Sequence, residues 1–492
     1  MDKESLRKVI LSVIIGGFLG YVVLRNLFGG GILGGVFGAV IGVGVAFLLS
    51  YILSLFPKAA SFTADNILAV IFVALVLLGF MVAEEITLKT YIELLFEIVF
   101  RESFLLLSLI IPVVAGLGMN FGITVGVIAA QLSLILIRWF DIPGILGLAA
   151  CAAVALPLAI LFGWLTGKVY NRMRGIEMIG GLIVGYFAAS VYRIILLYVV
   201  GGIIPLAAKG VDVLTRTQRN LLNPSGVGVR VSVDLGNLKY SLDGIWRMPF
   251  VTFVIIMAVC FLGWLIIRYW RKKKNPALGE ANIRLTAIGA VACLFFLVIS
   301  AWVLLTNNTT YMALRQAPIA TVFVIALAAY AINLLLKTKL GRDLRSVGQD
   351  QHNAKTNGIN VDRIRIIAVI ISTVLAAWGM LIYLQNIGTL GTYTQHNQIG
   401  MFAVAAIMVG GATTSKASLK NVFIGIILFQ SMFIFSPSLG KYLFGDPLYG
   451  ENFRTFMIYI FIAIALSLDA YNTNKKKKTL EEAAPNLSKE EA

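Results

Sequence analysis

The sequence predicts an all-α polytopic membrane protein with about 12–14 transmembrane segments, short or broken helices included, and both termini in the cytoplasm. Three observations carry that expectation. Of the 492 residues, 59% are hydrophobic and only 13% charged, with a mean hydropathy of +0.88, a balance foreign to soluble domains. The apolar residues fall in successive runs close to the ~20 residues that a helix needs to cross a bilayer. Most of the 41 Lys and Arg collect in alternate loops, as the positive-inside rule requires. The net charge of +17 therefore reads as topology, and nucleic acid is not an expected partner.

Lys3, Arg7 and Lys8 precede the first run, 9–24. No small-residue cleavage site follows and a second run, 31–56, begins at once, so a retained helix is expected rather than a signal peptide. Gly34, Gly38 and Gly42 in the second run allow close backbone approach in lipid. Residues 1–60 thus read as an accessory transmembrane hairpin, ahead of the main transmembrane domain at 61–472. A third run, 67–82, ends at Glu84-Glu85. Residues 90–103 carry Glu93, Glu97 and Arg101 on one helical face and Leu94, Leu95, Ile98 and Val99 on the other. That segment reads as a helix lying in the outer interface.

The apolar stretch 105–137 is interrupted at GLGMNFG, residues 116–122. Gly118, Gly122 and Gly126 are expected to stack on one helical face, with Asn120, Thr124 and Gln131 as the polar residues. A glycine-rich break at membrane depth is tolerated where it is buried in protein or lines a cavity, and discontinuous helices mark the pathway in many transporters. These six residues are the candidate solute path; close helix packing through small residues is the competing reading.

The run 144–165 leads to a basic loop with Lys168, Arg172 and Arg174, and 176–197 returns with Arg193 near its outer end, where it can snorkel. Residues 205–248 form an outer segment in which Val227, Val229, Val231 and Val233 alternate with Gly228, Arg230, Ser232 and Asp234, the period of a short strand. Lid, receptor-docking surface and plain loop stay open for it. Runs follow at 250–267, 285–305 and 317–336, then, after the island described next, at 366–384, 400–411, 422–435 and 457–468. The lysine-rich, acidic tail 473–492 is expected to be disordered.

The polar island 337–365 contains seven Lys and Arg and is assigned to the cytoplasm. Leu340, Leu344 and Val347 recur at helical spacing, and Gly348 reads as a helix stop. A second short helix runs up to Asn357-Gly358. Two short helices at a membrane exit suit a groove on a soluble partner as well as the membrane surface.

The string TKLGRDLRSVG, with Ala354 and Gly358-Ile359, resembles the cytoplasmic coupling loop of the branched-chain amino acid/ribose permeases of ATP-binding cassette importers, which reads T-x-x-G-R-x-x-R-A-V-G. Thr338, Gly341, Arg342, Arg345, Val347, Gly348, Ala354, Gly358 and Ile359 fall in register; Leu340 and Leu344 supply the apolar stripe. Ser346 and Asp350 stand where the family has Ala and Asn. MNFGITVGVIAAQ is similar to the family's L-N-I-G-x-E-G-Q segment, with Thr124 in place of its Glu. Gly379 fits an A-x-x-G segment, Gly410-Gly411 a G-G-T-S turn, and Gly425 a later helix glycine.

The resemblance implies a permease subunit that imports a small polar solute, of the sugar, nucleoside or branched-chain amino acid class, across a bacterial inner membrane. Its implied partners are cytoplasmic ATPase subunits, a second permease and an extracytoplasmic solute-binding protein. No phosphate-binding loop occurs, since GWLTGKV lacks the first Gly, so ATP hydrolysis is expected on another chain. No cofactor is expected on this one.

Cys151, Cys260 and Cys293 lie in apolar runs, and His352 and His396 lie far apart, which argues against a metal site or a histidine triad. Asn307 and Asn308 fit glycosylation acceptors, which carry meaning only in a secretory host. Glu84, Glu85 and Glu177 sit beside helix ends. An ion-coupled secondary transporter is the alternative; it should show a buried acid on a spanning helix, and none is evident at mid-span.

Overall fold

The computed structural model describes residues 88–200, 214–274 and 316–445, with scattered residues at 72–86, 202–204, 297 and 448–467. The hairpin expected at 1–60 and the tail at 473–492 lie outside the described residues, as do nearly all of the runs 67–82 and 285–305.

The helices are α1 (Leu88–Leu107), α2 (Ile110–Val114), α3 (Ile123–Trp139), α4 (Gly144–Arg172), α5 (Glu177–Ile194), α6 (Arg216–Leu221), α7 (Phe250–Lys274), α8 (Ile319–Lys337), α9 (Lys339–Gln349), α10 (Gln351–Thr356), α11 (Val361–Ile387), α12 (Gln395–Val409) and α13 (Leu419–Phe444). A π-helical turn, Ile195–Val199, prolongs α5. Among the described residues six helices are long and apolar enough to span a membrane: α4, α5 with its π turn, α7, α8, α11 and α13. α3 is a shorter apolar helix. Outward-facing Phe187, Trp264, Phe323 and Leu327 suit hydrocarbon, not water. The protein is a multi-pass membrane protein.

Two compact units divide the chain. The larger, 84–434 with 456–492, is organised around α11, which packs on α4, α3 and α1. Small residues set these crossings. A Cβ on Gly126 would lie 2.5 Å from the Thr373 carbonyl oxygen, one on Gly163 2.9 Å from Ile370 Cα, and one on Gly379 2.8 Å from Leu105 Cα. In the smaller unit, 1–83 with 435–455, Ser436 Oγ donates to the Gly450 carbonyl at 2.6 Å.

The larger unit has two ends. α9 and α10 mark the loop end. The other end carries the strands β1 (Ser232–Asp234), β2 (Arg247–Met248), β3 (Ala317–Pro318) and β4 (Thr389–Gly391), paired antiparallel as β1–β4 and β2–β3. Only three residues of the valine alternation become strand. Gly226 and Gly228 take positive φ (76° and 77°) and turn the chain before it.

Asp243 fastens this segment to the bundle: its carboxylate accepts from Thr321 Oγ1, from Gln385 Nε2 at 2.8 Å and from Asn386 Nδ2 at 2.8 Å. Asp243 thereby ties residues 214–248 to α8 and α11. Arg193 does not snorkel freely; its Nε donates to the Tyr393 carbonyl at 3.1 Å.

Residues 90–103 do not form a separate surface helix. They belong to the continuous 20-residue α1, in which Arg101 and Glu102 find partners. Arg101 pairs with Glu102 at 3.1 Å and lies 5.1 Å over the Tyr383 ring, while Glu102 accepts from Gln430 Nε2. Phe96 packs edge-on against Phe250 at 4.7 Å between ring centroids. α1 is not among the helices long and apolar enough to span a membrane.

Candidate functional site

The island 337–365 folds into α9 and α10, each set by a local side-chain cap. Thr338 Oγ1 accepts from Gly341 N at 3.3 Å, opening α9. Asp350 opens α10, accepting from His352 N at 2.8 Å and Asn353 N at 3.1 Å. Aspartate thus does the capping that the family's asparagine would do, because both present an oxygen acceptor. Gly358, at φ 79°, ends α10 in the left-handed region, and Ile359 N reaches back to the Ala354 carbonyl at 3.0 Å, a Schellman closure.

The motif positions separate by role. Gly341, Leu344, Val347 and Ala354 are buried, Leu340 and Ile359 half-buried, while Arg342, Arg345 and His352 point outward. A Cβ on Gly341 would meet the Leu335 carbonyl oxygen at 2.4 Å, so glycine lets α9 fold back tightly on α8. Arg342 and Arg345 make no ion pair among the described residues.

The break expected within 105–137 is present: α2 ends at Val114 and α3 begins at Ile123. It is an elbow, with Gly116 and Gly118 at φ 74° and 71°. The expected glycine face is not formed. Gly118 lies in the elbow and Gly122 is the N-cap of α3, so only Gly126 sits within a helix. Gly348 is not the helix stop either, since α9 continues to Gln349. Instead Gly348 touches the elbow: a Cβ on it would stand 2.1 Å from the Val114 carbonyl oxygen, and one on Gly116 would stand 2.7 Å from Gly348 Cα. The loop thus rests backbone-to-backbone on the broken helix.

Behind the elbow lies a buried polar network. Asn120 Oδ1 accepts from Tyr170 OH at 2.6 Å and from Gly122 N at 3.0 Å, and its Nδ2 donates to Ser372 Oγ at 3.2 Å. Arg365, fully buried on α11, donates to the Tyr170 carbonyl at 3.1 Å and to Glu177 Oε1 at 2.6 Å. Sequence reasoning missed this pair. It counted Arg365 with the loop charges and Glu177 with ordinary helix-end residues, because the contact spans 188 positions.

The six candidate path residues therefore divide. Asn120 and Gly122 join the network, Gly118 faces Met178, and Gly126 packs on α11. Thr124 instead lies where α3, α5 and α12 meet, touching Gly185 and Gly400. Gln131 is fully buried on α3 with neither amide atom hydrogen-bonded among the described residues. Gly410 and Gly411 form the expected turn between α12 and α13; a Cβ on Gly410 would lie 1.9 Å from the Asn421 carbonyl oxygen, and Gly411 takes φ 84°. Among the described residues no cluster of His, Cys, Asp and Glu is arranged to hold a metal.

The sequence model of a family described as "Branched-chain amino acid transport system / permease component" matches residues 103–465. A nucleoside ABC transporter permease of Lactococcus lactis is 34% identical over 145 residues, 29% of this chain and 44% of that protein. A guanosine ABC transporter permease of Bacillus subtilis is 31% identical over 150 residues, 30% of this chain and 44% of that protein. A xylose transport system permease of Haemophilus influenzae is 24% identical over 181 residues, 36% of this chain and 47% of that protein. The chain spans about half the length of these curated relatives. No solved structure matches.

Proposed function

The chain belongs to the branched-chain amino acid transport system permease family, and from that membership we propose that it is the transmembrane subunit of an ATP-binding cassette importer in a bacterial inner membrane. A small polar solute, delivered by an extracytoplasmic binding protein, passes through a pair of permeases while separate cytoplasmic ATPases supply the energy. Nucleosides and pentoses are the favoured solutes, on the names of the relatives.

The observation that carries this reading is the seating of α9 on the elbow. The buried motif positions fix the shape of the loop, Arg342 and Arg345 are left free on its outer face, and Gly348 meets Val114 and Gly116 without intervening side chains. A push on α9 from a docked ATPase is thereby delivered to the broken helix, since close-packed elements transmit rather than absorb displacement. ATP-driven closure biases an equilibrium between outward-open and inward-open permeases.

The ion-coupled alternative called for a buried acid on a spanning helix. Among the described residues the buried acids are Asp243, which lies off the spanning helices and is held by Thr321, Gln385 and Asn386, and Glu177, which pairs with Arg365 at 2.6 Å; half-buried Glu102 pairs with Arg101 at 3.1 Å. A carboxylate so neutralised favours a fixed role over ion exchange.

Arg342→Ala/Arg345→Ala tests the proposal. The double variant is expected to insert and fold normally, because neither side chain is buried, yet to lose ATPase co-purification and at least tenfold of uptake. Wild-type uptake with wild-type ATPase recovery in that variant would count against docking at this face.

A further inference from the structure

Thr124 marks a seam. A Cβ on Gly400 would lie 2.7 Å from its Oγ1 and one on Gly185 3.6 Å from its Cβ, so one face each of α3, α5 and α12 converges there. Helical periodicity keeps i+7 and i+4 on the same face. Moving toward the strand end, those faces carry Gln131 two turns along α3, Tyr192 two turns along α5, and His396 one turn back along α12. The Tyr192 and His396 rings meet edge to face at 5.2 Å, and all three side chains are at most 1% exposed.

Five polar atoms on this seam have no hydrogen-bond partner among the described residues: Gln131 Nε2 and Oε1, Tyr192 OH, and His396 Nδ1 and Nε2. Buried polar groups are nearly always partnered, and each one that is not opposes folding. Five on one seam, beside the helix that starts at the elbow, leave hydrogen-bonding capacity that a ligand would fill. At the strand end the seam is closed by Arg193 and Tyr393, the latter donating from OH to the Val229 carbonyl at 2.6 Å.

We propose that Gln131, Tyr192 and His396 form an occluded subsite for a neutral pentose ring, free or as the sugar of a nucleoside; this rests on the importer reading above. The amide offers a donor and an acceptor to neighbouring hydroxyls, the phenol and imidazole bond further hydroxyls, and the paired aromatic rings accept the C–H face of the sugar. None of the three carries a fixed charge, which suits a neutral solute and leaves a charged one uncompensated. The sequence reading did not bring Tyr192 and His396 together with Gln131, because they stand on other helices.

The test uses the full chain with its co-purified ATPase, its second permease and its solute-binding protein in proteoliposomes, with ribose, xylose and guanosine as probes. Tyr192→Phe, His396→Leu and Gln131→Met stay close to the native side-chain volume while removing the polar atoms. Each is expected to raise the solute concentration for half-maximal uptake at least tenfold and to abolish the solute-induced rise in thermal midpoint. ATPase co-purification should be retained, and the midpoint without solute should not fall. Guanosine uptake alone would identify the nucleoside as the source of the pentose; uptake of ribose or xylose alone, the free sugar. Unchanged half-saturation in all three variants, with the wild type importing, overturns the subsite and spares the importer reading. A wild type that holds its ATPase but imports none of the probes overturns the pentose assignment, and one that holds no ATPase overturns the importer reading beneath it.

Discussion

Gly348→Ala is expected to uncouple transport from ATP hydrolysis. The added Cβ would stand 2.1 Å from the Val114 carbonyl oxygen and 3.0 Å from Gly116 N, well inside van der Waals contact. Because the obstruction is backbone and not a movable side chain, α9 must lift from the elbow by roughly an ångström, an overpacking that costs about 1–3 kcal/mol. The loss is confined to one contact, since Leu344 and Val347 still anchor α9. The variant should therefore remain folded and bind ATPase, while uptake per ATP hydrolysed in proteoliposomes falls at least tenfold. Ser346→Ala, which installs the family's usual residue on the same helix, should leave that ratio unchanged. A wild-type ratio in Gly348→Ala would mean that the elbow is not the receiving element.

The largest stability effect is expected at Arg365. Its guanidinium is fully buried and its charge is met by Glu177 at 2.6 Å. Arg365→Met leaves the Glu177 carboxylate buried without a cation, which typically costs about 3–5 kcal/mol. Arg365→Met/Glu177→Gln removes both charges and should recover most of that loss, because the penalty belongs to the unpaired ion and not to the absent pair. Thermal denaturation in detergent reads both. If the double variant is no more stable than the single, the pair is not what holds α5 against α11.

Much of the architecture is legible in the sequence, and what is not has a physical cause. Hydropathy locates α4, α5, α7, α8, α11 and α13 because a spanning helix must be apolar along its whole length. Local chemistry locates the loop: Thr338, Asp350 and Gly358 act within a few residues of themselves, so their roles follow from spacing. The elbow at 116–122 is visible as glycine punctuation.

Long-range pairing is what sequence alone conceals. α1 was read as a surface helix because its charges were counted without their partners, and Gln430 lies 328 positions from Glu102. The Arg365–Glu177 pair and the meeting of Tyr192 with His396 depend in the same way on which helices adjoin. Gly348 shows a subtler limit, for a glycine needed to admit a neighbouring backbone looks like one needed to end a helix.

The central claim is that the outer face of α9 and α10 is a cytoplasmic docking face for ATPase. His352 is exposed on α10 and reports on it directly when replaced by cysteine in a background from which Cys151, Cys260 and Cys293 have been removed. In sealed cells a membrane-impermeant maleimide should label His352→Cys only after permeabilisation. In the purified complex, bound ATPase should protect that position. Labelling of intact cells, or labelling undiminished by the ATPase, would contradict the account.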